Sequence, residues 1–365
     1  MVRKILALRL SAMGDVSLTV PAIRAVLDAN PDLQITLVTR SIFAPFFYGI
    51  PRLDLFFPDL KNRHKGLFGL IRLYRDLKKK QDFSSVIDLH GVIRTKILST
   101  FFKLSGKPVF TIDKGRKEKK FLLKSKYLRY LKHSSVRYLD TFNKAGYKGN
   151  IGKPPYLSVS EEALKKAGSF LSQIPVNNTP ILIGLAPFAT HKPKIWGTDK
   201  FKELISLINR EHKAEFLLFG GGEDEIAKLK ELQKYSSNIH LVAGNLNLSE
   251  EIALIKNLDL MISMDSSNMH LSALSGIPTI SIWGGTHPTF GFYALGQPAE
   301  YHLQIPASSL KCRPCSVYGG KPCIYPEPKC LEMLKAEEVY NSLQKFDLLK
   351  IRNKKAALGT NIIHS

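Results

Sequence analysis

Short apolar runs of β-forming residues alternate with amphipathic helical stretches along this chain, and the alternation starts, breaks off and starts again. That order marks parallel α/β architecture, because a parallel strand pair needs a crossover, usually a helix, between its members. In the first half Ile5–Leu8 reads as a strand and Leu18–Ala29 as a helix. Gln34–Thr39 and Ser85–Leu89 read as further strands, Ile93–Leu104 as a helix and Pro108–Ile112 as a closing strand. Lys117–Leu131 reads as a basic helix with Phe121, Leu122, Leu128 and Leu131 on one apolar face. Gly146, Gly149, Gly152, Pro154 and Pro155 then interrupt the pattern as a linker would. It resumes as strands Ile181–Ala186, Ala214–Phe219, Ile239–Val242, Leu260–Ser263 and Thr279–Trp283. Helices Asp199–Arg210, Asp224–Tyr235, Ser249–Asn257 and Asn268–Ser275 alternate with them. The expectation is two separately wound α/β domains facing each other across a cleft, residues 1–150 and 156–345, with a tail over 346–365. Ligands of such sheets bind beyond the carboxyl ends of the strands, so the chemistry is expected in the strand-to-helix loops.

Charge narrows the partners. The formal net charge is +22, and residues 61–137 hold 22 Lys or Arg against 5 Asp or Glu. A field of one sign attracts polyanions: nucleic acid, anionic lipid headgroups or a phosphorylated substrate. A merely solubilising surface is the plainer reading, but such surfaces usually intersperse both signs. Arg9 interrupts the apolar stretch Ile5–Leu10, which is too short for a secretory signal. No run approaches the roughly 20 apolar residues of a membrane helix. A cytoplasmic chain with peripheral membrane contact is expected.

Four loops and one cysteine cluster carry candidate chemistry. Asp15, in Arg9-Leu10-Ser11-Ala12-Met13-Gly14-Asp15, could take a proton from an incoming hydroxyl, or could simply cap the following helix. Thr190 and Lys194 lie in a basic loop before a helix, suited to a diphosphate or to nothing beyond an exposed turn. Gly220-Gly221-Gly222 leads into Glu223, Asp224 and Glu225, where an acidic side chain could accept from ribose hydroxyls. Asp265, Ser266 and Ser267 end a strand and open a helix that carries His270, and a helix N-terminus receives phosphate well. Capping alone would also explain those three residues, and His270 could be an ordinary helix histidine. Cys312, Cys315, Cys323 and Cys330 form a candidate structural zinc site. Free or occasionally oxidised thiols are the alternative, since the later pair lacks close spacing. No cysteine reads as catalytic.

The loops recur together, in this order, in one family. Met13-Gly14-Asp15-Val16 with Pro21-Ala22, Lys194-Ile195-Trp196, Asp265 to Leu271, Gly276-Ile277-Pro278 and Trp283 to Pro288 carry the resemblance. The chain resembles the ADP-heptose:lipopolysaccharide heptosyltransferases, glycosyltransferase family 9, over nearly its full length. The resemblance implies a GT-B fold: two Rossmann-like domains, the first for acceptor and the second for nucleotide-sugar. It implies a last helix that crosses back, a role for the tail after Glu337, and inverting, metal-independent transfer. Asp15 matches the proposed general base, while Thr190 and Lys194 match diphosphate positions. Asp265, Ser266, Ser267 and His270 match the turn around phosphates and sugar. Glu223 or Glu225 would hold the ribose, and Leu246 would line the adenine pocket. On the acceptor side the candidates are Arg9, Ser11, His90, Arg94 and Lys96. The implied partners are an ADP-sugar and a phosphorylated lipid A–Kdo core at the inner face of the cytoplasmic membrane, with no nucleic acid and no catalytic cofactor.

Two departures bear on the donor pocket: Ala189 stands where a small hydroxyl residue is usual, and Ser266-Ser267 replaces a common Thr-Gly. Two rival readings use the same features. A basic nucleic-acid-binding protein would bind with steep salt dependence, yet the sequence has no stacking positions or reader motif. A sugar-nucleotide epimerase of similar build would not need the basic segment.

Overall fold

In the computed structural model, which describes residues 2–125, 127–174 and 180–351, the first sheet is built around β1 (Arg3–Leu8). Ile5 to Leu8 are wholly inaccessible because strands pair on both edges and helices cover both faces. Two short helices follow, α1 (Met13–Ser17) and α2 (Val20–Ala29), the latter with Pro21 in its first turn, where no N–H is needed. Then come β2 (Leu33–Val38), β3 (Leu53–Phe56), α3 (Gly66–Lys80), β4 (Ser85–Asp88), α4 (Ile93–Leu104) and β5 (Val109–Thr111). The sheet order is β3-β2-β1-β4-β5, parallel throughout. Leu70, Leu73 and Leu77 of α3 share one core with Leu98 and Phe102 of α4 and with Leu6 and Leu8 of β1. Helix α5 (Arg116–Ser125) follows β5, and α6 (Ser134–Lys144) completes this part by packing on α2.

A second sheet has β6 (Ile181–Ala186) at its centre, preceded by α7 (Glu161–Leu171). The remaining elements are α8 (Thr198–Glu211), β7 (Ala214–Leu218), α9 (Glu223–Gln233), β8 (Ile239–Leu241) and α10 (Leu248–Ile255). They continue as β9 (Leu260–Met264), α11 (Ser267–Leu274), β10 (Thr279–Ile282), β11 (His302–Leu303), α12 (Lys329–Met333) and α13 (Ala336–Lys345). The order is β11-β10-β9-β6-β7-β8, again parallel, which is the dinucleotide-fold order of two βαβαβ halves.

Two compact units result, Met1–Glu118 with Leu131–Ser158, and Lys119–Tyr130 with Val159–Ser365. The breaker-rich stretch 146–155 lies inside the first unit. The basic helix differs from the sequence expectation: α5 ends at Ser125, and Phe121 is exposed while Leu122 is buried. Residues 119–130 group with the second unit because Lys119 is buried against the rings of Phe292 and Tyr318, 5.3 and 5.4 Å from their centres. Tyr130 meets Tyr293 edge-on at 5.4 Å. Helix α13 packs against α8, within the second unit; residues 352–365 of the expected tail lie outside the described residues.

Candidate functional site

Each sheet has a point where strand order reverses, between β1 and β4 and between β6 and β9, and the loops leaving those strands diverge to open a crevice. In the first unit β1 runs directly into Arg9, which is 3% exposed. Its Nη1 donates to the Leu89 carbonyl at 2.8 Å and its Nη2 lies 2.5 Å from Asp15 Oδ2. The guanidinium also sits 5.5 Å from the centre of the Tyr138 ring. Ala12, not Asp15, is the N-cap of α1. The capping explanation of Asp15 therefore fails: its carboxylate is half-exposed, stands in the first helical turn and is held by Arg9.

Ser11 Oγ lies 3.4 Å from His90 Nε2. Burial, followed by the charges of Arg9, Lys114 and Arg94, pushes His90 down to about 3 against the opposing pull of Asp15. The imidazole is neutral at any physiological pH. Arg94 is thus within electrostatic reach of His90, and both Arg94 and Lys96 are exposed on α4. Asp88, at the end of β4, shapes the loop: its Oδ1 accepts from the backbone of His90 and Gly91 at 2.9 and 2.8 Å, and its Oδ2 from Thr95 Oγ1 at 3.0 Å. Asp88 and Lys114 were not among the sequence candidates. Their chain positions, at the end of β4, which pairs with β1, and just after β5, which pairs with β4, were the available signal.

In the second unit Lys194 ends a single 3-10 turn (Lys192–Lys194) between β6 and α8. Its Nζ lies 2.7 Å from Asp265 Oδ2 and donates to the Asp265 carbonyl at 3.1 Å. Thr286 Oγ1 donates to the same Oδ2 at 2.7 Å, a partner that the sequence did not single out. Ser266 is the N-cap of α11 but makes no side-chain cap; its Oγ lies 3.2 Å from Ser263 Oγ instead. The first turn of α11 therefore keeps N–H groups for an anion, with a lysine ammonium at the same turn. His270 is buried on α11. Thr190 is exposed in the loop after β6. Glu223 opens α9 and is exposed, while Glu225 Oε2 accepts from the Gly221 backbone at 3.0 Å, so Glu225 is used within its own turn. Leu246 is half-buried after β8. Lys194, Asp265 and Ser266 are gathered at one turn; Thr190, Glu223 and Leu246 follow β6, β7 and β8 on the same sheet edge.

The cysteine segment packs onto the Lys194 loop. Gly285 donates to the Pro193 carbonyl at 2.9 Å, and the Gly285 carbonyl accepts from Cys315 and Ser316 at 2.9 and 3.1 Å. Lys192 pairs with Glu327 at 2.8 Å. None of the four cysteines is in a disulfide. Burial first, then neighbouring Cys312, Cys330 and Cys323, pushes the Cys315 thiol up to about 11. Four sulfurs are a donor set suited to zinc, but among the described residues no three His, Cys, Asp or Glu side chains are arranged to hold a metal ion. Nor is any described helix long and apolar enough to cross a membrane.

The family model for glycosyltransferase family 9 (heptosyltransferase) matches residues 70–319. The lipopolysaccharide core heptosyltransferase OpsX of Haemophilus influenzae is 25% identical over 77% of this chain and 79% of its own length. A family 9 glycosyltransferase from Veillonella parvula superposes with a TM-score of 0.74 at 20% identity, covering 95% of this chain and 97% of that one. The E. coli heptosyltransferase WaaC with ADP gives 0.63 at 18% identity, over 94% and 99%. At these identities the solved structures establish the fold, which is of the GT-B type.

Proposed function

The chain belongs to glycosyltransferase family 9, the heptosyltransferases, and from that premise we propose that it moves a heptose or related sugar from an ADP-sugar onto the lipopolysaccharide inner core. The reading includes inversion at the anomeric carbon, no catalytic metal, and work at the cytoplasmic face of the inner membrane. One observation carries it: the Lys194 ammonium, anchored on Asp265, stands at the uncapped first turn of α11, a site made for a departing diphosphate.

Each unit has one part of the chemistry. In the first, Asp15 takes the proton of the acceptor hydroxyl as that oxygen attacks the anomeric carbon. Arg9 keeps the carboxylate in place. In the second, Lys194 and the α11 N–H groups neutralise the charge that builds on the leaving diphosphate. Thr190 hydrogen-bonds the diphosphate, Ser267 and His270 border the phosphates and sugar, Glu223 takes the ribose and Leu246 the base. The basic stretch 61–137 recruits a phosphorylated glycolipid acceptor at an anionic surface. The four cysteines are also proposed as the ligands of a structural zinc ion, and metal analysis of the purified chain tests this directly.

The decisive experiment is a thermal-shift panel of ADP-, GDP- and UDP-sugars, because a ligand that binds only the folded chain raises its melting temperature. Selective stabilisation by ADP-sugars is expected. Preference for another base would remove the donor assignment.

A further inference from the structure

We propose that Thr286 and Arg313 are positioning residues for the lysine that receives the diphosphate: Arg313 holds the loop of Thr286, Thr286 holds Asp265, and Asp265 holds Lys194. The proposal rests on the donor-site reading and adds to it the support behind that site, supplied from the cysteine segment.

One oxygen of Asp265 is shared. Lys194 Nζ and Thr286 Oγ1 each lie 2.7 Å from its Oδ2. A carboxylate only accepts, so the threonine hydroxyl donates. With Lys194 alone, the carboxylate could turn about its broad last torsion and carry the flexible lysine head with it. A second donor on the same oxygen fixes it. Threonine suits the task because branching at Cβ restricts χ1, so the hydroxyl goes where the backbone of residue 286 puts it. Thr286 is wholly buried, and no bulk water stands ready to replace the bond.

That backbone is in turn held from two sides. Gly285 N–H donates to the Pro193 carbonyl at 2.9 Å, and the Gly285 carbonyl accepts from Cys315 and Ser316. Arg313, 1% exposed, supplies the other hold. Its Nη2 donates to the Thr286 carbonyl at 3.4 Å and to Gln304 Oε1 at 2.8 Å, and its Nη1 donates to the Ile305 carbonyl. Those acceptors follow β10 and β11, so one planar guanidinium ties the two loops together. All three acceptors are neutral, and Arg313 Nε has no hydrogen-bond partner. A buried cation satisfied only by neutral acceptors costs stability, and a well-packed apolar side chain of similar volume is often the more stable choice. The charge therefore serves the placement of the loop rather than the stability of the fold.

The test is calorimetric titration of the full chain with ADP, inorganic pyrophosphate and adenosine. Thr286→Val nearly keeps the shape and deletes the hydroxyl. It should weaken ADP and pyrophosphate by about tenfold, while adenosine, which has no phosphate, changes by less than about twofold. Thr286→Ser keeps the hydroxyl and should hold both anions within about threefold of wild type. Arg313→Met should weaken the anions by about threefold, and Arg313→Lys should not repair the loss, because an ammonium cannot bridge both loops. The double variant Thr286→Val/Arg313→Met should bind the anions no more weakly than Thr286→Val alone, since the two residues act in series. Should Arg313→Met fail to fold, the two Thr286 variants decide alone. Unchanged anion binding in Thr286→Val, additive losses in the double variant, an equal loss of adenosine, or no binding of either anion by wild type would overturn the proposal. Pyrophosphate has no base and reports on the support whatever the donor's base, whereas the panel of ADP-, GDP- and UDP-sugars reports on the transferase reading, so the two can fail independently.

Discussion

Lys194 Nζ rests 2.7 Å from Asp265 Oδ2, and the two side chains are 13% and 4% exposed. Removing one member of so enclosed a pair leaves an uncompensated charge. Lys194→Ala strands the Asp265 carboxylate with Thr286 Oγ1 as its remaining side-chain partner. The expected cost is about 3 kcal/mol in denaturant unfolding. Adding Asp265→Asn should return much of that stability, since the stranded charge is gone, but not ADP-sugar binding. A Lys194→Ala protein that unfolds normally and still binds the donor would show that the pair is peripheral to both.

Asp15 is held by Arg9 but is still half open to solvent, as a proton acceptor must be. Asp15→Asn keeps the shape and the hydrogen bond to Arg9 and removes the basicity. Transfer should drop by at least about a hundredfold, within the range of lost general-base catalysis. Donor-induced thermal stabilisation should stay nearly unchanged. Turnover at the wild-type rate would take the base role away from Asp15.

Most of the second unit's framework could be read in the chain because its strands are continuous buried runs. Ile181–Ala186 has the bounds that the apolar pattern gave it. Edge elements were harder: β3 is only four residues, Leu53–Phe56, with Asp54 in its middle, so no apolar run announces it. Sequence order also located Asp15, Lys194 and Asp265, since each follows a strand that periodicity could find. What periodicity cannot convey is pairing at long range. Lys119 between Phe292 and Tyr318, and Thr286 on Asp265, depend on contacts that no local pattern encodes. Lys114 was hidden by its company, one lysine in a basic stretch whose members otherwise look interchangeable.

Stability should peak at about pH 7, for opposing reasons on either side. Burial is the chief cause that holds His90 at about 3, and His287 and His302 at about 4. Below about 6.5 the unfolded chain binds protons that the folded chain refuses, so acidification destabilises, by up to about 1.4 kcal/mol per pH unit for each histidine. Glu251 acts the other way: burial pushes it up to about 8 from 4.5. The folded chain therefore binds an extra proton between those values, and its stability declines as pH rises through them. Three histidines outweigh one glutamate up to about pH 7, and above it the glutamate dominates. Glu251→Gln should abolish the alkaline decline and leave the acid limb. A melting temperature level from pH 5 to 8 would contradict the assignment.

If Lys194 and the α11 N-terminus do the work of a metal ion, chelation should leave transfer unaffected. Brief treatment with EDTA should change the initial rate by less than about twofold, and added magnesium or manganese should not stimulate it. A rate that collapses with chelator and returns with a divalent ion would place a metal on the diphosphate instead.

Gly319 provides the most direct probe of how the cysteine segment serves the donor site. Its φ is +91°, and a Cβ there would stand 2.9 Å from Lys194 Cδ and Cε. Alanine at this position meets two penalties: a backbone conformation that side chains disfavour, about 1 kcal/mol, and a push on the lysine stem. The stem can swing, so the fold should tolerate the change, but the ammonium would leave Asp265. Small displacements of charge-stabilising groups are costly in rate. Gly319→Ala should therefore raise the donor KM and lower kcat together by about tenfold, with an unfolding free energy within about 1.5 kcal/mol of wild type. Gly146→Ala supplies the comparison, because that glycine has a similar φ of +88° and no atom within 4 Å of its would-be Cβ. If both variants behave alike, the cysteine segment does not position Lys194.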